Sequence, residues 1–140
     1  MTADFVLDPR LANDTAVVCN WALSRVLLMN DRRYQWLVLV PRRAGAVEVF
    51  DLGEGEQALL WREVTSAARL LKHATRCRKV NIGALGNIVS QLHVHIVARD
   101  EGDAAWPGPV WGKGVAERYN EASLSERIAH YRALLRQPAD

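Results

Sequence analysis

Two hydrophobic periods divide the chain. Residues 24–30 (SRVLLMN) and 35–40 (QWLVLV) are short apolar runs separated by the polar break Asp31-Arg32-Arg33. Runs of this length between turn residues predict two strands of an antiparallel hairpin. Pro41 ends the second strand, because it has no N–H to give to a ladder. Residues 44–56 are acidic and contain glycine, which predicts a loop with a short extended piece at Val47–Phe50. From Gln57 to Thr75 the period lengthens. Leu60, Val64, Ala67/Ala68 and Leu71 recur at helical spacing, without Gly or Pro, and predict a long amphipathic helix.

The second half returns to strands. KVNIGAL (79–85) reads as one strand, Gly86-Asn87 as a turn, and Gln91–Ala98 as the partner strand. Residues 100–114 hold two prolines and four glycines and are predicted to be irregular. Ser123-Leu124-Ser125-Glu126 matches a capping box for a C-terminal helix over about 123–137, with Ile128, Tyr131 and Leu135 on one stripe. This order predicts an α+β fold. Its core is an antiparallel, roughly five-stranded sheet with one face covered by the long helix.

Within Gln91-Leu92-His93-Val94-His95-Ile96-Val97, polar and apolar residues alternate. Alternation on a strand puts Gln91, His93 and His95 on one face and Leu92, Val94 and Ile96 on the other. The polar set is expected on the face that the helix leaves uncovered. Three readings are open for such a pair of imidazoles. In one they simply decorate a polar sheet face. They could chelate zinc, which needs a third ligand that no nearby carboxylate or cysteine offers. They could also carry nucleophilic catalysis, one imidazole attacking while its neighbours orient it or donate to the leaving group.

Composition narrows the class without choosing among these readings. At 140 residues the chain is expected to be one domain, 1–140. Its formal charge of +2 gives no reason to expect a nucleic-acid partner, although Arg32/Arg33, Arg42/Arg43 and Arg76–Arg78–Lys79 make a mild positive field for phosphate. Cys19 and Cys77 form neither a disulfide framework nor a zinc ribbon and suit a reducing compartment. The N-terminus lacks a signal-peptide pattern, and the longest apolar run, Trp36–Val40, is far too short to span a membrane. A soluble, cytoplasmic protein is expected.

QLHVHIVAR, preceded by NIGALGN, resembles the signature of the histidine triad nucleotide-binding family, in which three histidines alternate with apolar residues. The hairpin RVLLMNDRRYQWLVLVPR, the long helix and the asparagine-bearing strand come in that family's order, so the resemblance covers roughly residues 22–112. It implies that His93 is the nucleophile, attacking the α-phosphorus of a nucleotide to form a nucleotidyl-imidazole that water then opens. It implies that His95 contacts the phosphate. Gln91 stands where the family has its first histidine. Its amide hydrogen-bonds but does not titrate, which puts the leaving-group proton donor in doubt more than the nucleophile.

The same resemblance places Asn30 near the ribose, and Asn81, Asn87 and Gly86 near the phosphates. Ile88 stands where many relatives offer a hydroxyl, and Ser90 reads as a polar loop residue. Trp106 becomes a candidate lid or base contact, facing its own site or that of a partner subunit. Trp36 and Trp61 read as structural, and Arg99 as a surface charge. His73 and His130 read as surface residues on helices.

The implied ligand is a purine nucleotide or nucleotide conjugate, a dinucleoside polyphosphate or a phosphoramidate. No cofactor is required, although a divalent cation could accompany a polyphosphate. The implied assembly is a homodimer. A nucleotide-sensing or adaptor module with little turnover and a metal-dependent hydrolase are the alternative functions.

Overall fold

The computed structural model describes residues 4–136. Its sheet has five antiparallel strands in the order β1-β2-β3-β5-β4. They are β1 Thr15–Asn20, β2 Ser24–Met29, β3 Trp36–Pro41, β4 Lys79–Gly83 and β5 Val94–Arg99. The three α-helices are α1 Pro9–Asp14, α2 Glu54–Thr75 and α3 Glu121–Leu134. The architecture is α+β, as the alternation of periods predicts.

The hairpin β2–β3 pairs in register from Ser24↔Pro41 to Leu28↔Leu37. The helix α2 buries Leu60, Val64, Ala67 and Leu71, together with Glu63 on the same stripe. Burying a carboxylate is costly unless it is hydrogen-bonded. Glu63 accepts from the backbone N–H groups of Leu23 (2.9 Å) and Ser24 (3.0 Å), which ties α2 to the start of β2. Val26, Leu28, Leu37, Leu39, Val94 and Ile96 complete this core layer from the sheet side.

The opposite face of the sheet is covered too, contrary to expectation. Leu27, Trp36, Val38, Val40 and Val97 pack there against Leu11 of α1 and against Ala105 and Val110 of the irregular segment. Every residue of β3 and β5 is therefore buried. Leu11 of α1, with the partly buried Phe5 and Leu7, supplies part of this cover, and these residues lie before the predicted hairpin. Asp8 caps α1 by accepting from the Arg10 N–H, and Pro9 sits in the first turn. That is a legible start signal.

Three boundaries differ from the sequence reading. Residues 49–51 form a 3₁₀ turn rather than an extended piece, because the Asp51 carboxylate accepts from the N–H groups of Val47 and Glu48 and folds the segment back. The last helix starts at Glu121, capped by the Asn120 side chain on the Ser123 N–H, so Ser123 is the third helical residue and not the cap. The partner strand begins at Val94 and not at Gln91. Its ladder with β3 ends at the Leu39↔Val94 pair, and the Leu92 N–H bonds instead to the loop carbonyl of Ala46 (2.9 Å). Among the described residues no helix is long and apolar enough to cross a membrane.

Candidate active site

His95 sits in mid-strand on β5, opposite Val38 of β3 and Gly83 of β4, and is only 6% exposed. His93 lies one residue before β5 and is 7% exposed. The two rings meet edge to face with centroids 4.9 Å apart, so the predicted shared side holds for this pair.

Each ring is held by one bond that fixes its tautomer. His93 Nδ1 lies 2.7 Å from the backbone carbonyl of Gln91. A carbonyl only accepts, so Nδ1 carries the proton and Nε2 keeps its lone pair. His95 Nδ1 accepts from the indole N–H of Trp36 at 3.0 Å. In a neutral ring the proton must then be on Nε2. Burial, with the neighbouring His93 charge second, pushes the His95 pKa down to about 3, so this ring is neutral. One imidazole thus offers a nucleophilic nitrogen and its neighbour an N–H donor.

This burial has a measurable consequence for stability. The folded-state value of His95 is about 3 against an ordinary 6.5, so the unfolded chain binds the proton first. The contribution is complete above the unfolded value and is lost as pH falls from there through the folded value, at about 1.4 kcal/mol per pH unit. Urea unfolding midpoints of the wild type should fall over this window. In His95→Gln that component of the slope should vanish, and an unchanged slope would refute the assignment.

Gln91 spends its side chain on the N-terminal segment. Its side-chain Oε1 accepts from the Asp8 N–H and its Nε2 donates to the Val6 carbonyl, both at 2.8 Å. Gly86 lies in the preceding loop with φ +76°, a conformation that favours glycine. It lines, with Gln91 and His93, a small cavity of about 40 Å³. Asn87 is exposed on the same loop, and Ile88 is 83% exposed.

The other site residues predicted from sequence bond to groups other than the two histidines. Asn30 is buried at the end of β2, and its Oδ1 accepts from the Tyr119 N–H at 2.9 Å. It shares with Trp36 a cleft of about 210 Å³ bordered by Arg33, Lys113 and Arg118. Asn81 pairs with Val97 across β4–β5, and its Oδ1 accepts from Arg99 at 2.7 Å.

Arg99 is no surface charge. It is 2% exposed, donates to the Asp103 carboxylate at 2.8 and 3.0 Å, and also to the Gly108 carbonyl at 2.8 Å. An arginine at the end of a buried strand needs such partners, and an aspartate four residues on was the signal for them. Trp106 packs near Arg99, with the guanidinium carbon 5.8 Å from its ring. Trp111, rather than Trp106, lies against His95, with ring centroids 5.5 Å apart, and 6.5 Å from Trp36. Gly83 makes room for it, since a Cβ there would lie 3.0 Å from the Trp111 ring.

Trp36 therefore does more than fill the core, and Trp61 does not fill it at all, being 61% exposed on α2. Sequence reasoning missed both Trp36 as the partner of His95 and Trp111 as its neighbour. Pairing Trp36 across to β5 would have exposed the first. His73 and His130 are on the surface, as expected. Among the described residues no cluster of three or more His, Cys, Asp or Glu is arranged to hold a metal ion.

The chain matches the family model of the HIT domain over residues 10–102. Among solved structures it is similar to a histidine triad protein from Sinorhizobium meliloti 1021, with 49% identity, coverage of 94% of this chain and 95% of that one, and a TM-score of 0.87. A histidine triad protein from Bradyrhizobium japonicum is 44% identical, covering 99% and 100%, with a TM-score of 0.89. One from Marinobacter aquaeolei VT8 is 40% identical, covering 98% and 100%, with a TM-score of 0.94. No curated protein matches the chain.

Proposed function

The chain belongs to the histidine triad (HIT) family, and from that premise we propose that it hydrolyses or transfers nucleotides at the α-phosphate of a nucleotide conjugate, through a covalent intermediate on His93. The observation that carries this reading is the pair of opposed tautomers. His93 Nδ1–H on the Gln91 carbonyl leaves Nε2 free to attack phosphorus. The same bond stabilises the cationic ring that forms. Trp36 on His95 Nδ1 leaves Nε2–H to donate to a phosphoryl oxygen as its charge develops.

In this reading the loop of Gly86 and Asn87 brings backbone amides to the phosphates, and the nucleoside takes the cleft that Asn30 borders. The chemistry of attack is that of imidazole and needs no metal. A divalent cation could still accompany a polyphosphate substrate. The test is intact-protein mass spectrometry of enzyme quenched during turnover of diadenosine tetraphosphate. An adenylyl adduct localised to His93 is expected. A nucleotide-sensing module would bind AMP without adduct or turnover.

A homodimer is part of the same proposal. The β4 edge strand is open, with Ile82 40% exposed, and α2 exposes Trp61. Unpaired edges and exposed aromatics are costly for a monomer to leave in water. Trp106 and Trp111 are half-buried against their own chain, so they supply little of this area. Light scattering at micromolar concentration should give twice the chain mass, and a monomer alone would refute it.

A further inference from the structure

Gln91 replaces a titratable residue, and its side chain is already spent. Its carboxamide makes two 2.8 Å bonds to the backbone of residues 6 and 8, as a neighbouring strand would. The segment is stapled a second time, because the Arg10 guanidinium donates to the Ile88 carbonyl at 3.1 Å and pairs with Asp8. The strap is thus fixed to the loop that leads into His93.

Neither Asp8 nor His95 beside His93 is poised to give a proton. Asp8, whose carboxylate senses the His93 charge, is kept below the usual aspartate range chiefly by its hydrogen bond from Arg10. His95 is a neutral ring whose Nε2–H is far too weak an acid to surrender. Glu48 lines the small cavity with His93 but is exposed to solvent.

We propose that Gln91 is a positioning residue that clamps the N-terminal strap and transfers no proton, so that this site selects phosphoanhydrides over phosphoramidates. The inference rests on the nucleotidyl-histidine reading above. When His93 Nε2 attacks the α-phosphorus of an anhydride, the P–O bond breaks and its electron pair leaves on a phosphate oxygen, stable as an anion without a proton. Water then attacks the phosphorus, the P–N bond to His93 breaks with its pair returning to Nε2, and the proton of water goes to solvent. An alkyl phosphoramidate follows this path more slowly, because its amine must take a proton from solvent as the P–N bond breaks. General acid catalysis of such a step is worth about 10²- to 10⁴-fold.

The experiment compares kcat/KM of the full chain for diadenosine tetraphosphate and for an adenosine N-alkylphosphoramidate. The wild type should favour the anhydride by at least about 10²-fold. Cleavage of both within about tenfold of each other would overturn the selectivity. Gln91→Ala should speed hydrogen exchange at the Asp8 amide and lower turnover of both substrates while leaving their ratio unchanged. Unaltered Asp8 exchange would overturn the clamp. A selective loss of phosphoramidate cleavage in this variant would make Gln91 a participant in leaving-group departure and overturn the proposal. Failure of the underlying reading looks different: no adduct on His93 and no turnover of either substrate.

Discussion

His93→Ala is expected to lower kcat on the order of 10⁴- to 10⁶-fold, the scale on which covalent catalysts lose activity without their nucleophile. The structure explains why the loss should fall on this ring and not equally on its neighbour. Nε2 of His93 is the nitrogen left bare by a bond to a carbonyl, whereas the Nδ1 lone pair of His95 is occupied by the Trp36 N–H. His95→Ala removes a donor to the phosphoryl oxygens, an effect of about 10²- to 10³-fold, so turnover should remain measurable. AMP affinity of His93→Ala should persist, because the cleft bordered by Asn30 and Trp36 does not depend on that imidazole. Equal losses in the two variants, or an adduct found on His95, would sink the assignment.

Asp103→Ala should destabilise the protein by about 3–5 kcal/mol, the cost of stranding one member of a buried ion pair. Arg99 is 2% exposed and spends its Nε and one terminal nitrogen on this carboxylate. Asp103 also accepts from the backbone N–H groups of Asp100, Ala105 and Trp106, so it organises the whole turn after β5. That turn leads to Trp111, the ring against His95. The variant should therefore lose activity as well as stability.

Acid should have a graded form of the same effect. The Arg99 hydrogen bond, above all, holds the Asp103 carboxyl at about 2 against an ordinary 3.8. Its contribution is present above the unfolded value and is lost as pH falls toward the folded one. Urea midpoints report both results, and a change below about 1 kcal/mol in Asp103→Ala would place this pair with weak surface bridges. Pairing the variant with Arg99→Met should recover part of the loss, since the stranded charge is then gone.

The hydrophobic periods, and with them the main elements, are legible in local residue order. Leu60, Val64, Ala67 and Leu71 make a helix wherever they are placed in an amphipathic setting. The two apolar runs around Asp31-Arg32-Arg33 make a hairpin, and the alternation around the histidines puts His93 and His95 on one side. These are local properties of 2.0 and 3.6 residue repeats, and they need no knowledge of neighbours. The family signature is equally local, being the nine consecutive residues QLHVHIVAR.

The chemical state of the candidate site depends instead on partners far apart in the chain. Trp36 reaches His95 across 59 positions, and Gln91 reaches Asp8 across 83. The first contact fixes which nitrogen of His95 carries the proton. The second converts a polar residue of an apparent triad into a clamp for the N-terminal segment. Arg99 shows the same lesson in its charge: a polar residue at a strand end reads as exposed until the turn that covers it is in place. Burial and hydrogen-bond pairing are properties of the assembled layers, and a carboxamide, an imidazole or a guanidinium takes its chemical role from whichever partner the fold brings within about 3 Å.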